Sequence, residues 1–165
     1  MAELWDIYDT RAQKTGRQME RGALFTPGEF HQVVHIWLIN AREELLIQKR
    51  AAQVAWRPGI WAVTGGSVVA GEEVYPAAVR ELSEELGIRG IEDSMEFVMT
   101  VKHRSSLCSV FLVSCDIPAN QLVLQEEEVE EARWVSRETL LAMMERQEFY
   151  HYDYLEFLFR YLERR

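Results

Sequence analysis

The chain is expected to fold as a mixed β-sheet flanked by helices, on the border between α/β and α+β. A small N-terminal hairpin and a C-terminal helix complete the expectation. Three observations predict it. Runs rich in Val, Ile and Trp alternate irregularly with helix-like runs, and hairpin signals lie between several of them. The stretch 73–87 carries Val74, Ala78, Leu82 and Leu86 at four-residue spacing, the stripe of a helix anchored on one side. At 165 residues the chain is long enough for one domain, 1–165, with a substantial core, and no repeat or low-complexity linker divides it.

Each element follows from local chemistry. Residues 4–9 and 17–21 flank Lys14-Thr15-Gly16 and are expected to pair as a hairpin turning there. Thr26-Pro27-Gly28 is a loop. His31 to Asn40 reads as a buried strand, Ala41 to Glu44 as a turn, and Leu45 to Lys49 as a second strand. Residues 61–64 are extended and lead into Gly65-Gly66. The helix starts near Glu73 and stops at Gly87, with Pro76 tolerable only in its first turn. Residues 95–103 and 107–115 pair across Arg104-Ser105-Ser106. An acidic loop then leads to a short strand, Ala132 to Val135. Ser136 opens a helix to about Arg146, and a last helix is expected from about Tyr150 to Arg164. Its apolar residues run nearly all round, which suggests a wedge between two surfaces such as a homodimer contact.

Composition narrows the function. A net charge of −9 argues against binding a nucleic-acid polymer, so an anionic substrate must be met by local cations or bridged by metal. Cys108 and Cys115 fit no metal or redox spacing and read as buried thiols in a reducing compartment. No signal peptide and no membrane-length apolar run are read in the sequence, so the expected setting is cytoplasmic, without a membrane partner.

The chemistry concentrates in GSVVAGEEVYPAAVRELSEELGI, residues 66–88. Glu81 precedes Glu84 and Glu85 by three and four positions, which puts three carboxylates on one helical face. Like charges so crowded repel unless a cation sits among them. Oxygen-only ligands select a hard cation, Mg²⁺ or Mn²⁺, and Mg²⁺ completes its shell with water and phosphate oxygens. The segment therefore reads as a metal-diphosphate site.

Gly66, Glu72, Arg80, Glu81, Leu82, Glu84, Glu85, Gly87 and Ile88 also fill every fixed position of the Nudix box, and the chain resembles the Nudix hydrolase superfamily. That resemblance implies a mixed sheet sandwiched between helices and hydrolysis of a diphosphate linkage by water attack at phosphorus. It implies Glu81, Glu84, Glu85 and the Gly65 carbonyl as metal ligands. Arg80 would orient the glutamates with Glu72 as its ionic partner. The general base would come from the box or from a later loop, and the run Glu126 to Glu131 is the obvious one, through Glu126 or Glu128. Arg50 and Arg57, with Lys49 nearby, and His103 beside Arg104 are the candidate substrate-binding groups. Trp56 and Trp61 either stack on a base or pack in the core, with packing favoured. His31 and His35 read as satisfied buried histidines.

The pattern from Glu29 to Gly65 is similar to the branch near isopentenyl-diphosphate isomerase. His31 and Arg50 match that enzyme in part, but Val63-Thr64-Gly65-Gly66-Ser67 carries neither the cysteine nor the histidine its chemistry needs. Hydrolysis is thus the expected activity, with isomerase-like activity or a non-catalytic nucleotide-binding module as the alternatives. The partner implied is a small-molecule diphosphate, a nucleoside-diphosphate derivative or a related compound. His103 to Leu107 shows neither the Pro nor the Tyr that marks particular Nudix substrates.

Overall fold

The computed structural model describes residues 2–165. Nine strands and three α-helices follow one another as β1 Leu4–Tyr8, β2 Lys14–Glu20, β3 His31–Ile39, β4 Leu45–Arg50, β5 Trp61–Ala62, β6 Thr64–Ser67, α1 Val74–Leu86, β7 Met95–Lys102, β8 Ser106–Ser114, β9 Val129–Val135, α2 Arg137–Glu145 and α3 Leu155–Leu162.

Strand β3 is the axis of the sheet. It runs parallel to β8 from His31↔Ser106 to Ile39↔Ser114, and β8 pairs antiparallel with β7. On its other edge β3 meets β4 only at Ile39↔Leu45, then diverges. The segment 61–67 fills the wedge that opens: β5 pairs with β4 and β6 with β3, while β9 covers the far edge of β4. A gap between two diverging strands exposes backbone groups that must find partners, and this is a natural place for a site.

The alternation along β3 decides the layers. Val34, Ile36 and Leu38 pack with Ala77, Ala78, Leu82 and Leu86, so α1 covers that face. Trp37, with Cys108, Val110 and Leu112 from β8, packs with Leu140, Met143, Leu155 and Leu158, which puts α2 and α3 on the other. The sheet is therefore sandwiched between helices as expected.

Most boundaries agree with the sequence reading. Helix α1 ends at Gly87, whose φ of 67° lets its own N–H reach the Ser83 carbonyl and the Ile88 N–H reach that of Leu82. Ser136 caps α2, accepting the Thr139 N–H at 3.1 Å.

Three readings are corrected. The N-terminal hairpin turns at residues 9–13, because Asp9 accepts the N–H groups of Arg11 at 2.8 Å and Gln13 at 3.0 Å and folds the chain there. Lys14, Thr15 and Gly16 lie in β2, and Gly16, at φ 80°, takes up the bulge opposite Ile7. Strand β9 begins at Val129 rather than Ala132, since β4 offers partners as far as Arg50. Helix α3 begins only at Leu155. Before it the chain is held extended: Tyr150 N–H bonds to the Trp61 carbonyl at 2.8 Å, and Trp61 N–H to that of Glu148 at 2.9 Å. The helix is also one-sided, burying Leu155, Leu158 and Phe159 and leaving Phe157 56% exposed. Among the described residues no helix is long and apolar enough to cross a membrane.

Candidate active site

The site is built where α1 crosses the wedge between β4 and β6. Gly66, which opens the box, and Gly65 before it are glycine for a visible reason. A Cβ on Gly66 would overlap the Glu81 carboxylate, and one on Gly65 would overlap the backbone carbonyl of Val34. Gly66 thus leaves room for the Glu81 carboxylate of α1, and Gly65 for the close approach of β3 to β6.

Glu81 and Glu85 are buried, and Glu84 is half exposed. Glu85 Oε2 accepts hydrogen bonds from Gln48 Nε2 at 2.9 Å and from the Gly65 N–H at 3.2 Å. Gln48 Oε1 in turn accepts the Thr64 hydroxyl at 2.8 Å. Burial, reinforced by the neighbouring Glu81 charge, pushes Glu85 up to about 8 against the pull of Gln48 and Gly65. Burial likewise raises Glu81, with Arg80 opposing.

Arg80 binds Glu72, Glu81 and Glu84. It grips Glu72 in a fork, Nε to Oε1 at 3.0 Å and Nη2 to Oε2 at 2.9 Å, as expected of these two residues. Its Nη1 reaches Glu81 at 2.9 Å and Glu84 at 3.0 Å, and Nη2 also reaches the Ser67 carbonyl at 3.1 Å. Glu72, above all, raises the Arg80 pKa further beyond its ordinary value. Glu72 ends below the usual carboxylate range because Arg80 and the Val69 N–H outweigh its burial.

The expected set of three converging carboxylates is thus split. Arg80 holds Glu81 and Glu84, while Gln48 and Gly65 hold Glu85. Among the described residues no three His, Cys, Asp or Glu side chains stand close enough together to hold a metal ion. The reason is the repulsion that makes such a cluster costly, here relieved by a guanidinium and an amide. The donors nevertheless suit a hard cation, being carboxylate and carbonyl oxygens around two poorly solvated glutamates.

The acidic loop is tied to the end of α1. Val123 N–H bonds to the Leu86 carbonyl and Gln125 N–H to that of Glu85, both at 3.1 Å. This brings Glu128 near enough to raise Glu85 electrostatically. The backbone carbonyl of Glu126 accepts Gln53 Nε2–H at 2.9 Å.

Of the other candidates, Arg50 ends β4, donates Nε–H to the Trp56 carbonyl at 2.9 Å and lies 5.1 Å from the Trp56 ring. Arg57 stands 5.9 Å from the ring of Tyr150. Lys49 is taken by Glu130 at 2.7 Å. Trp56 is 49% exposed, whereas Trp61 is a core residue. His103 lies close enough to His35 to oppose its protonation.

Of the two histidines, His31 departs from the expectation and His35 is partnered in accord with it. His31 is buried against Trp5, ring centroids 4.1 Å apart, but its Nδ1 has no partner among the described residues. His35 is partnered, its Nδ1 lying 2.7 Å from the Tyr154 hydroxyl, which also accepts Trp37 Nε1–H at 3.1 Å. Burial pushes His31 down to about 4 and His35 to about 3. The sequence reading missed Gln48 and the His35–Tyr154–Trp37 chain. A Gln within the apolar run LLIQ was the signal for the first. Nothing in the sequence signals the second, whose members lie 117 and 119 residues apart.

The loop of the box is braced from outside. Asp6 Oδ2 accepts the Gly71 N–H at 2.9 Å, and the Leu4 carbonyl accepts that of Ala70 at 2.8 Å. Lys14 joins Asp6 at 3.1 Å and Glu73 at 3.7 Å.

Comparisons with known proteins agree with this geometry. The NUDIX domain profile matches residues 29–156. A Nudix hydrolase of Listeria monocytogenes, lmo0368, is 34% identical over 158 residues, covering 95% of this chain and 94% of that protein. The isopentenyl-diphosphate Δ-isomerase of Pectobacterium atrosepticum is 37% identical over 84 residues, 50% of this chain and 46% of that one. Among solved structures, DR0079 of Deinococcus radiodurans superposes with a TM-score of 0.80 at 24% identity, over 96% of this chain and 98% of that one. The match of profile, full-length relative and fold, on a chain whose box is complete, means that the chain belongs to the Nudix hydrolase family.

Proposed function

We propose that this hydrolase cleaves the diphosphate linkage of a nucleoside-diphosphate derivative or related compound, with Mg²⁺ or Mn²⁺ as its cofactor. One observation carries the reading: Glu85, the last box glutamate, is buried in the strand wedge, bonded to Gly65 and within the electrostatic reach of Glu81 and Glu128. Uncompensated carboxylates are expensive to bury, and a divalent cation is the natural partner for them.

Glu81, Glu84, Glu85 and the Gly65 carbonyl are the proposed ligands. Glu84 is held by Arg80 alone and is half exposed, so it is free to turn inward. When bound, the cation neutralises diphosphate oxygens and makes water more acidic. Arg80 keeps the glutamates oriented through its fork on Glu72. Glu128, on the loop anchored to α1, is the proposed base: its carboxylate takes a proton from the attacking water. The water oxygen bonds to phosphorus, the bridging P–O bond breaks, and the leaving group departs as a phosphate. Arg50 and Arg57 contribute charge beside the half-exposed Trp56, a combination suited to a base linked to phosphates. His103, near enough to His35 to oppose its protonation, is a further proposed substrate contact.

The similarity to an isomerase over half the chain favours one second reading, double-bond migration in isopentenyl diphosphate. The thiol of Cys108 is fully buried, which speaks against its acting as the acid such chemistry needs. A phosphate-release screen over diphosphates with Mg²⁺ and Mn²⁺ tests the proposal, with dimethylallyl diphosphate formation assayed in parallel. Release that is abolished by EDTA is expected. Isomerisation without release overturns the proposal.

A further inference from the structure

On the sheet face opposite α1, His35 sits directly across the strand pair from Gly65. Its hydrogen bonding can be counted. Trp37 Nε1–H can only donate, so the Tyr154 oxygen accepts it. The single Tyr154 hydroxyl proton is then satisfied only by donation to His35 Nδ1, 2.7 Å away. An Nδ1 that accepts leaves the ring proton on Nε2. Among the described residues no protein group bonds that Nε2, and His31 Nδ1 is the one fully enclosed side-chain polar atom left without a partner. His35 is only partly buried, so its Nε2–H keeps some exposure.

What it stands beside is an aromatic wall. His35 meets Tyr152 edge to face at 5.0 Å between centroids, Tyr152 meets Tyr150 at 4.8 Å, and Tyr150 meets Trp56 at 4.9 Å. The wall runs from β3, opposite Gly65, to the exposed Trp56 and its guanidinium, Arg50. An aliphatic chain gains nothing from an oriented N–H, whereas a planar heterocycle can use both the wall and the donor.

We propose that His35 is a substrate-contacting residue that donates Nε2–H to an acceptor on the planar heterocyclic group attached to the diphosphate, with Tyr154 as the positioning residue that fixes the tautomer. This rests on the metal-diphosphate reading of the neighbouring site and adds the recognition of the group beyond the phosphates. A site built around a fixed donor discriminates against ligands that lack the matching acceptor, because the donor is then left unpaired.

The test uses the full chain with Mg²⁺ and the non-hydrolysable α,β-methylene analogues of ADP, GDP, CDP and UDP, with methylenediphosphonate as the bare head group. At least one nucleotide analogue should bind more tightly than methylenediphosphonate. His35→Phe should weaken the tightest of them by about tenfold or more, the scale of a lost hydrogen bond, and leave methylenediphosphonate unchanged. His35→Gln, which keeps an N–H near the Nε2 position, should recover most of the loss. Tyr154→Phe should fall between, and ¹⁵N spectra should show the His35 proton on Nε2 in the wild type and a mixture of tautomers in this variant. The proposal is overturned if no nucleotide analogue outbinds methylenediphosphonate, if both ligands weaken alike or not at all, if Gln fails to rescue, or if the proton is on Nδ1. Methylenediphosphonate binding that requires Mg²⁺ and is lost in Glu85→Gln tests the metal site separately, so the two readings can fail independently.

Discussion

Gln48 donates a hydrogen bond to the Glu85 carboxylate across 2.9 Å, though 37 residues separate them in the chain. It comes from the strand on the far side of the wedge and holds the proposed metal ligand from behind. Such supporting contacts typically carry 10–100-fold of metal affinity or activity, so Gln48→Leu should weaken Mg²⁺ activation by about that factor. Gln48→Glu should be worse, since it adds a third buried carboxylate. Titration of the rate with Mg²⁺ reads both, and an unchanged half-saturation point in the Leu variant would refute the supporting role.

Glu85 itself should show opposed effects on rate and on stability. Glu85→Gln is expected to cost at least about a hundredfold in rate, the size of a lost electrostatic contact at a reaction centre. Its folded pKa is raised to about 8, so between the ordinary carboxylate range and pH 8 the folded state binds more protons than the unfolded. The proton's stabilising contribution is full at low pH and is lost as pH rises through 8. In EDTA, the Gln variant should melt higher than the wild type at pH 8.5 and close to it at pH 4.5. A wild type as stable as the variant at pH 8.5 would contradict the buried, uncompensated carboxylate.

Gly66→Ala places a methyl group where the Glu81 carboxylate now lies. Glu81 must move, and the Arg80 fork with it. Overpacking of this kind costs about 1–3 kcal/mol, and the rate should fall further than that loss of stability explains. Circular dichroism and turnover on one preparation separate the two. A variant that keeps full rate would show that the Glu81 position is not needed.

His31 offers a titration outside the proposed metal ligands. Folded, it stays neutral down to about 4, while in the unfolded chain it gains its proton near the ordinary 6.5. Between these values the unfolded state binds more protons, so stability is drained as pH falls from 6.5 towards 4. His35 acts in the same direction. His31→Phe keeps the stack on Trp5, removes the unpartnered Nδ1, and should be more stable than wild type at pH 5 by a wider margin than at pH 7.5. Urea midpoints at the two pH values measure this, and equal margins would count against it.

The sequence alone determined the reactive segment. The offsets of Glu81, Glu84 and Glu85, the end of α1 at Gly87 and the cap at Ser136 are local matters of helix period and turn chemistry, and the pairing of Arg80 with Glu72 followed from the resemblance to the Nudix box. A sandwich around a mixed sheet also followed, since alternation and stripes report which sides of each element must be buried. The tertiary structure decided what lies around the box. Asp9, rather than Gly16, sets the hairpin turn, and pairing with Trp61 holds Tyr150–Tyr154 out of the last helix. The divergence of β3 from β4 puts Gln48 on Glu85, and packing across the sheet puts Tyr154 on His35. These are contacts between residues tens of positions apart, fixed by register and by the need to satisfy buried polar groups, and no local pattern encodes them.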